Sequence, residues 1–320
     1  MTSLSVLHVL DLSEGVAGAY CTKLLAGFGA NVTMIERPAG DPLRRHGPFP
    51  DDLPHGEKSA LFLYLNTGKK GITLDIGQRS GALIFRRLVE EAEVVVEGFA
   101  PGYLTELGLG YESLARIKPR LVMTSVTPFG QDGPYAGYKA TNLTAFAAGG
   151  QMAATGEPDR EPLMNGGYQA EYRAGLHAFA ATAVAAFSAD ATEVGQHIDI
   201  AVMECLATML EPYVSSWAYE KRDIGRRPGN VESGGTPIAF VNTVQDLLQA
   251  PQLRARGFFQ EIDHPAAGRL TYPGPPLRPG AMPWQAARAP LLGEHNEEIY
   301  CGELGMSRQE LAVLRASGVI

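Results

Sequence analysis

The chain has 320 residues and a formal net charge of −8 at pH 7. Its length suggests one or two domains, and its acidic balance, without a long basic run, argues against nucleic acid as the main partner. Cys21, Cys205 and Cys301 stand far apart and form neither a metal-binding spacing nor a disulfide framework, so we expect no metal site and a reducing, cytoplasmic location. The N-terminus lacks the basic and apolar regions of a signal peptide, and no stretch predicts a membrane span.

Strand-like and helix-like patterns alternate along the first half of the chain. Short apolar runs predict buried strands, and longer stretches with apolar residues at helical spacing predict helices. Alternation of this kind is typical of an α/β fold, in which helices cover a parallel sheet. The predicted strands are 6–12, 32–35, 71–74, 93–96 and 121–126, and the predicted helices are 19–28, 81–92 and 111–117.

The loops after the first two strands are candidate binding loops, because ligands of parallel sheets bind at the carboxyl ends of the strands. Residues 15–18, Gly-Val-Ala-Gly, could approach a phosphate with their backbone, but they lack the third glycine of the dinucleotide-binding fingerprint. Glu36 imitates the ribose-binding acid of such folds, yet Arg37 follows it directly. We therefore expect no nicotinamide cofactor.

A third loop, 66–71, looks superficially like a phosphate-binding loop. It lacks the leading glycine and the hydroxyl residue after lysine that ATP-binding loops require. The sequence therefore does not predict ATP binding, and we interpret Lys69 and Lys70 as part of a solvated loop.

Glu171 is the acidic residue on which the functional interpretation depends. The segment 167–176 leads into a run of small and apolar residues, 177–187, which predicts a buried helix with Glu171 at or near its first turn. The exposed N–H groups and the dipole of a helix favour a carboxylate there. Two interpretations stay open: Glu171 caps the helix, or it is a reactive carboxylate. His177 is interpreted as a core histidine.

The C-terminal part of the chain predicts an arm followed by two short helices. Residues 273–290 are rich in proline and poor in helix signals, which indicates an extended arm. Residues 297–302 and 307–317 predict amphipathic helices, the second opening with a capping box of Ser307 and Glu310.

Several short segments, taken in their order, are typical of one protein family. They are 6–12, 24–32, 35–38, 65–70, 96–102, 107–111, 129–135, 195–199, 246–248, 251–258 and 292–295. Together they resemble the class III CoA-transferases, the family that includes formyl-CoA transferase and carnitine CoA-transferase. No single segment is decisive, but their number and order make the resemblance specific.

The resemblance implies transfer of CoA between an acyl thioester and a carboxylic acid, through covalent anhydride and thioester intermediates on an active-site aspartate. It also implies two interlaced subunits, each with a nucleotide-fold-like large domain and a small domain. Glu171 resembles the counterpart of that aspartate, and its extra methylene favours either a nucleophile in a rearranged pocket or a relic. Candidate oxyanion donors are the backbone N–H groups of Gly166 and Gly167, or of Gly234 and Gly235.

The resemblance further implies a set of CoA contacts. The expected binding residues are Gly15, Val16, Ala17, Arg37, Leu74, Asp75, Phe99 and Lys139. The sequence departs from the family pattern at Gly77, where a lysine is usual, at Gly98, where an asparagine is usual, and at Glu106, where some members carry an arginine. Glu106 brings a negative charge near phosphates, for which Arg44 and Arg45 could compensate.

The domain organisation also departs from the family. The segment 234–243 runs almost directly into the part of the family sequence that usually follows the small domain. We therefore divide the chain into a large α/β CoA-transferase domain, 1–235, and a C-terminal arm with helices that complete it, 236–320, most of the small domain being absent. Because the small domain helps to close the active site, we expect an open and wetter site.

Three functional hypotheses result. The first is a CoA-transferase acting on an acyl-CoA and a carboxylic acid, with Glu171 as the nucleophile and no metal. The second is a non-catalytic subunit that pairs with a full-length, aspartate-bearing relative, which the departures at Glu171, Gly98 and Glu106 favour. The third is a binder of CoA thioesters without turnover. Racemase activity is set aside, because Tyr138 and Lys139 stand where racemases of this superfamily carry a histidine.

Overall fold

The computed structural model describes residues 4–222, 225–226, 242–280 and 282–320. Within these ranges six strands form one parallel sheet: β1 His8–Leu12, β2 Asn31–Glu36, β3 Lys70–Thr73, β4 Val94–Glu97, β5 Val122–Thr127 and β6 Gln196–Ala201. Their spatial order is β3-β2-β1-β4-β5-β6. This is the order of doubly wound nucleotide-binding sheets, in which strands are added first to one side of β1 and then, from β4 onward, to its other side. The α/β fold expected from the sequence is confirmed.

Helices surround this sheet. They are α1 Val16–Gly27, α2 Ala60–Leu65, α3 Arg79–Glu90, α4 Tyr103–Glu106, α5 Tyr111–Ala115, α6 Asn142–Ala148, α7 Gln169–Thr192, α8 Val202–Ala207, α9 Glu211–Glu220, α10 Val244–Gln249, α11 Pro251–Ala255 and α12 Arg308–Ala316. A turn of π-helix, Glu298–Glu303, precedes α12.

β4 contains a continuous apolar run, Val94 to Val96, because helices cover both faces of the sheet. Val94 and Val96 of β4 pack among side chains of α1 and α7, whereas Val95 packs among side chains of α3, α5 and α12. All three valines have no exposed surface. Alternate residues of one strand therefore belong to two different hydrophobic cores.

The contact between α1 and α7 is close because both helices present small residues to each other. A Cβ added at Gly175 would lie 2.5 Å from the carbonyl oxygen of Ala17 and 3.1 Å from the Cβ of Tyr20. Ala174 and Ala178, on the same side of α7, are fully buried. This packing fixes the beginning of α7 against the beginning of α1.

The C-terminal arm lies partly on its own chain. The backbone N–H of Gln285 donates to the carbonyl oxygen of Gly27, and the Trp284 ring lies 5.2 Å from the Phe28 ring.

The predicted capping box at the start of α12 is confirmed, since Ser307 accepts from the Glu310 N–H and Glu310 accepts from the Ser307 N–H. An antiparallel hairpin, β7 Phe259–His264 and β8 Gly268–Pro273, was not predicted.

The prediction that Lys69 belongs to a solvated loop is wrong. Its Nζ lies 2.8 Å from Asp11 Oδ2, and both side chains are almost completely buried. Asp11, on the central strand, also accepts from the hydroxyl groups of Ser13 and Thr22. The buried ammonium of Lys69 is therefore the counter-ion of the Asp11 carboxylate, and the two hydroxyl groups pair with its oxygen atoms.

Candidate active site

The carboxyl edge of the sheet gathers most of the residues expected to bind CoA. The loops after β1, β2, β3 and β4 carry Gly15 to Ala17, Arg37, Leu74 with Asp75, and Phe99, in that order. A small cavity of about 30 Å³, here called the Arg37 cavity, lies between these loops. Its lining includes Glu14, Arg37, Leu74, Asp75, Phe99 and Tyr103. The cavity opens at the reversal point of the strand order, where doubly wound sheets bind their ligands.

Glu171 lies in the first turn of α7, as predicted, and faces the beginning of α1. The backbone N–H of Val16 donates to Glu171 Oε2 at 3.0 Å. Gly15 precedes the helix with a φ of 106°, a conformation that favours glycine, and a Cβ there would lie 3.8 Å from Glu171 Oε2. The unpaired N–H groups and positive dipole end of α1 are therefore directed at the carboxylate.

Opposing effects set the pKa of Glu171. Burial raises this pKa above its usual value, because it disfavours the charged form. The backbone N–H groups of Val16 and Ala17 and the positive charge of His46 act in the opposite direction. The net result is a raised pKa, so that the carboxylate is less well solvated than an exposed glutamate while two backbone donors hold it in place.

Two cavities meet at Glu171. One, here called the α6 cavity, has a volume of about 210 Å³, and its lining includes Ala17, Gly98, Thr127, Asn142 and Glu171. The other, here called the His46 cavity, has a volume of about 300 Å³, and its lining includes Gly15, Val16, Leu43, His46, Tyr168 and Glu171. Glu14 lines both of them, and it also lines the Arg37 cavity. The carboxylate of Glu171 thus has space for a reactant on two sides.

Asn142, the first residue of α6, holds the segment that leads into α7. Its Oδ1 accepts from the backbone N–H of Ala170 at 3.0 Å, and its Nδ2 donates to the carbonyl oxygen of Gly167 at 3.1 Å. One side chain therefore pairs with backbone groups on both sides of the start of the helix. This pair of hydrogen bonds fixes the position of Glu171, one residue further along.

The other expected CoA ligands differ in how accessible they are. Arg37 is 58% exposed and its Nε donates to Glu14 Oε1 at 2.7 Å. Leu74 is buried, and the carboxylate of Asp75 accepts from the Gly77 N–H and the Gln78 side chain. Lys139 is exposed and belongs to none of the three cavities, although the next residue lines the α6 cavity. The structure brings the expected residues of the first four loops together and leaves Lys139 apart.

The expectation that Arg44 compensates for a phosphate charge is wrong. Its guanidinium is buried, forms two hydrogen bonds with Glu36, and forms a third with Glu57 at 2.7 Å. Both carboxylate oxygens of Glu36 accept hydrogen bonds from Arg44, so Glu36 is not free to bind a ribose. Arg45 is exposed and donates to the carbonyl oxygen of Ala39.

Two site residues, Glu14 and His46, were missed by the sequence interpretation, and a third, Asn142, was given no individual role. Glu14 stands directly after a predicted strand, where ligand-binding side chains gather, and this signal could have identified it. Asn142 ends the stretch 139–142, which resembles a CoA-contacting stretch of the family, but the sequence indicated no role for its side chain. Nothing in the local sequence distinguishes His46. The candidate oxyanion donors Gly234 and Gly235 lie outside the described residues, and the carbonyl of Gly167 bonds Asn142.

A larger cavity, about 350 Å³, lies at the opposite edge of the sheet and is mostly apolar. Its two cations are paired: Arg120 contacts Asp190 and Glu193, and Lys118 contacts Glu93. The described residues contain no group of His, Cys, Asp and Glu side chains that could hold a metal ion. Among the same residues no helix is long and apolar enough to cross a bilayer.

Comparison with known proteins identifies the family. A sequence model of CoA-transferase family III matches residues 4–237 and 230–296. This chain belongs to CoA-transferase family III. This match agrees with the resemblance noted in the sequence. CoA-transferases use acyl-CoA thioesters as substrates.

Individual relatives of this class III chain carry CoA-transferase names. It is 32% identical to the succinyl-CoA:(R)-benzylsuccinate CoA-transferase subunit BbsE of Thauera aromatica, over 93% of this chain and 94% of the relative. It is 29% identical to the formyl-CoA:oxalate CoA-transferase of Streptomyces coelicolor, over 99% of both chains. The crystal structure of a CAIB/BAIF family protein from Brucella suis superposes with a TM-score of 0.84 at 29% identity, covering 94% of this chain and 99% of the other.

Proposed function

We propose that this protein transfers CoA between an acyl-CoA thioester and a carboxylic acid, with Glu171 as the covalent nucleophile. The observation that carries the proposal is the position of the Glu171 carboxylate. It lies between the α6 cavity and the His46 cavity and is held by the N-terminus of α1. Reactants can reach this carboxylate from two sides, so the acyl-CoA and the carboxylic acid can approach it through different cavities.

The proposed reaction proceeds through two covalent intermediates. A carboxylate oxygen of Glu171 attacks the thioester carbonyl, the C–S bond breaks, and a mixed anhydride and a CoA thiolate form. The thiolate attacks the glutamyl carbonyl, which releases the donor acid and leaves a glutamyl-CoA thioester. The acceptor carboxylate repeats both steps in reverse order and leaves as the new acyl-CoA. Such covalent catalysis divides one difficult exchange into easier steps.

The surroundings of Glu171 fit both halves of this chemistry. The raised pKa reflects a poorly solvated carboxylate, and less solvation leaves its oxygen atoms more available for attack. Once the side chain is acylated, the N–H groups of Val16 and Ala17 can donate to the oxygen on which negative charge develops. Fixed donors of this kind stabilise oxyanions without reorganisation.

For the nucleotide part of CoA we propose the loops around the Arg37 cavity. Arg37 supplies an accessible guanidinium for a phosphate, Phe99 and Leu74 supply apolar surface, and Asp75 shapes the loop before α3. Gly15, Val16 and Ala17 join this region to Glu171. Lys139 offers a second cation from the loop that precedes α6.

The test is covalent trapping followed by intact-mass measurement. The protein is incubated with a panel of acyl-CoAs and treated with hydroxylamine or borohydride, alongside Glu171→Gln and the control variant Glu204→Gln in α8. We expect an adduct in the native protein and in Glu204→Gln, mapped to Glu171, and none in Glu171→Gln. A folded native protein that gives no adduct with any donor would overturn the proposal.

An alternative is a non-catalytic subunit that pairs with an aspartate-bearing relative. One face of α7 favours a protein partner: Leu176, Val184 and Phe187 recur at helical spacing, and Phe187 is 79% exposed. One relative, aligned over 93% of this chain and 94% of its own, is named as a subunit. Expression alone and together with such a relative separates the two functions, since solubility and activity only in the mixed complex would favour the alternative. An interlaced homodimer is the assembly expected for the enzyme.

We also propose the division into a large domain, 1–235, and a C-terminal part, 236–320, that lacks most of the small domain. The alignment with BbsE extends over 386 positions, more than the 320 residues of this chain, so that relative contains segments without a counterpart here. The two matches to the family model overlap at 230–237, close to the proposed boundary.

The three free cysteines support the proposal of a reducing, cytoplasmic location.

A further inference from the structure

Glu14 is the one side chain that lines the Arg37 cavity, the α6 cavity and the His46 cavity among those described. Glu14 follows β1 at the point where the strand order of the sheet reverses, between the proposed nucleotide site and Glu171. Its carboxylate accepts from Arg37 Nε at 2.7 Å. A carboxylate oxygen on a guanidinium occupies the same donor that a phosphate oxygen would use.

We infer that Glu14 competes with a phosphate of CoA for Arg37, so that CoA binds only after the Glu14 carboxylate has left the guanidinium. This inference rests on the proposed function, because it takes CoA as the ligand of the Arg37 cavity. Arg37 is 58% exposed and Glu14 is 31% exposed, so the pair opens without unpacking the core. Neither side chain makes another hydrogen bond that would have to break at the same time, among those seen in the described residues.

The expected size of the competition follows from the exposure of the pair. Ion pairs at exposed positions are weak, so that opening this one changes a binding constant by about two- to fivefold. The displaced carboxylate stays at the junction of the three cavities and adds a negative charge near the phosphates and near Glu171. Both effects weaken the binding of CoA, and both disappear when Glu14 is made neutral.

Calorimetric titration with CoA at fixed ionic strength tests the inference. Glu14→Gln keeps the size of the side chain and removes its charge, and Glu90→Gln removes one charge at an exposed position of α3. We expect Glu14→Gln to bind CoA about two- to fivefold more tightly than the native protein, and Glu90→Gln to bind it equally well. Native-like binding, or weaker binding, by Glu14→Gln would overturn the inference.

A double-variant cycle with Arg37→Gln separates competition from general repulsion. If Glu14 acts through Arg37, the gain from Glu14→Gln is smaller in the Arg37→Gln background. An equal gain in both backgrounds would show that Glu14 merely repels CoA, and the inference would fail. If the native protein and every variant fail to bind CoA, the proposed function fails instead. Glu14→Ala, with the same expected direction, serves if Glu14→Gln is unstable.

Discussion

The backbone N–H of Val16 and the carboxylate of Glu171 meet at 3.0 Å although 155 positions separate them in the chain. The donor belongs to the first turn of α1 and the acceptor to the first turn of α7. The two helices cross at Gly175, where the absence of a side chain lets the backbone of α1 approach. The carboxylate of Glu171, the proposed nucleophile, is therefore positioned by the packing of two helices, and this relationship leads to the following predictions.

Replacing Glu171 with aspartate retracts the carboxylate by about 1.5 Å. The hydrogen bond with Val16 is then lost, and the attacking oxygen no longer lies between the two cavities. Since misplacement of about 1 Å can cost roughly a hundredfold in rate, we expect Glu171→Asp to lower kcat by about that factor. Initial rates of acyl exchange measure this, with Glu204→Asp as the control. Unchanged or higher activity would mean that the pocket is built for the shorter side chain.

A methyl group at Gly175 would force α7 away from α1, because its Cβ would lie 2.5 Å from a carbonyl oxygen. We expect Gly175→Ala to lower the free energy of unfolding by about 1–3 kcal/mol and to reduce kcat by lengthening the Val16–Glu171 hydrogen bond. Urea denaturation and steady-state kinetics measure the two effects. The control is Gly302→Ala, where an added Cβ meets no atom within 4 Å. Equal stability of the two variants would contradict the prediction.

Asn142 fixes the start of α7 through hydrogen bonds with Ala170 and Gly167. We expect Asn142→Ala to lower kcat by about ten- to a hundredfold, with a smaller change in KM, because the carboxylate is misoriented while the cavities remain. Asn142→Asp keeps the acceptor for the Ala170 N–H and should recover part of the rate. A larger effect on KM than on kcat would assign Asn142 to substrate binding instead.

The activity should depend on pH through the ionisation of Glu171. In the proposed reaction the carboxylate form is the nucleophile, and burial raises its pKa, so kcat/KM should rise with pH through a value above that of an ordinary glutamate. Protonated His46 lowers this pKa, so His46→Gln should move the acid limb of the profile to higher pH. The pH dependence of kcat/KM for both proteins measures the shift, with His55→Gln as a control. A profile displaced to lower pH would refute the assignment.

Lys69 is expected to matter for stability rather than for chemistry. Lys69→Met leaves the Asp11 carboxylate buried without its counter-ion, which should cost about 3–5 kcal/mol of unfolding free energy. The neighbouring Lys70 pairs with Glu298 and Glu303 at the surface, so Lys70→Met should cost less than about 1 kcal/mol. Chemical denaturation of both variants makes the comparison, and similar losses would contradict it. In the double variant Asp11→Asn, Lys69→Met, part of the loss should be recovered.

The sequence predicts those elements that can be recognised from a local pattern, without knowledge of the residues that they contact in the fold. β1, β2, β4 and β5 are almost entirely buried, and each carries enough apolar residues to be recognised as a strand by itself, although β5 also contains Thr124, Ser125 and Thr127. The position of Glu171 in a first turn, and the capping box of Ser307 and Glu310, are likewise local patterns. The doubly wound order of the sheet then places the binding loops at one edge without further information.

The rest depends on partners that lie far away in the chain. Nothing near Lys69 indicates burial, because its counter-ion Asp11 lies 58 positions before it. Arg44 looked available for a phosphate for the same reason, since its second partner, Glu57, belongs to another loop. The hairpin of β7 and β8 escaped prediction because its strands are mostly half-exposed and carry charged residues. Local sequence patterns therefore predict the buried strands of the parallel sheet, but they do not predict ion pairs between residues that are distant in the chain.

The anchoring of the turn Pro42–Arg45 has a consequence for which part of this region can vary in sequence. Arg44 ties this turn to the end of β2, and the buried hydroxyl of Ser59 donates to the carbonyl oxygens of Leu43 and His46. The chain between these two anchors, 47–58, is largely exposed. Apart from Glu57, which pairs with Arg44, it can therefore change in sequence and length while the wall of the His46 cavity keeps its place. Insertions and deletions in this stretch should accordingly be tolerated, because they leave the carboxylate of Glu171 and the sheet untouched.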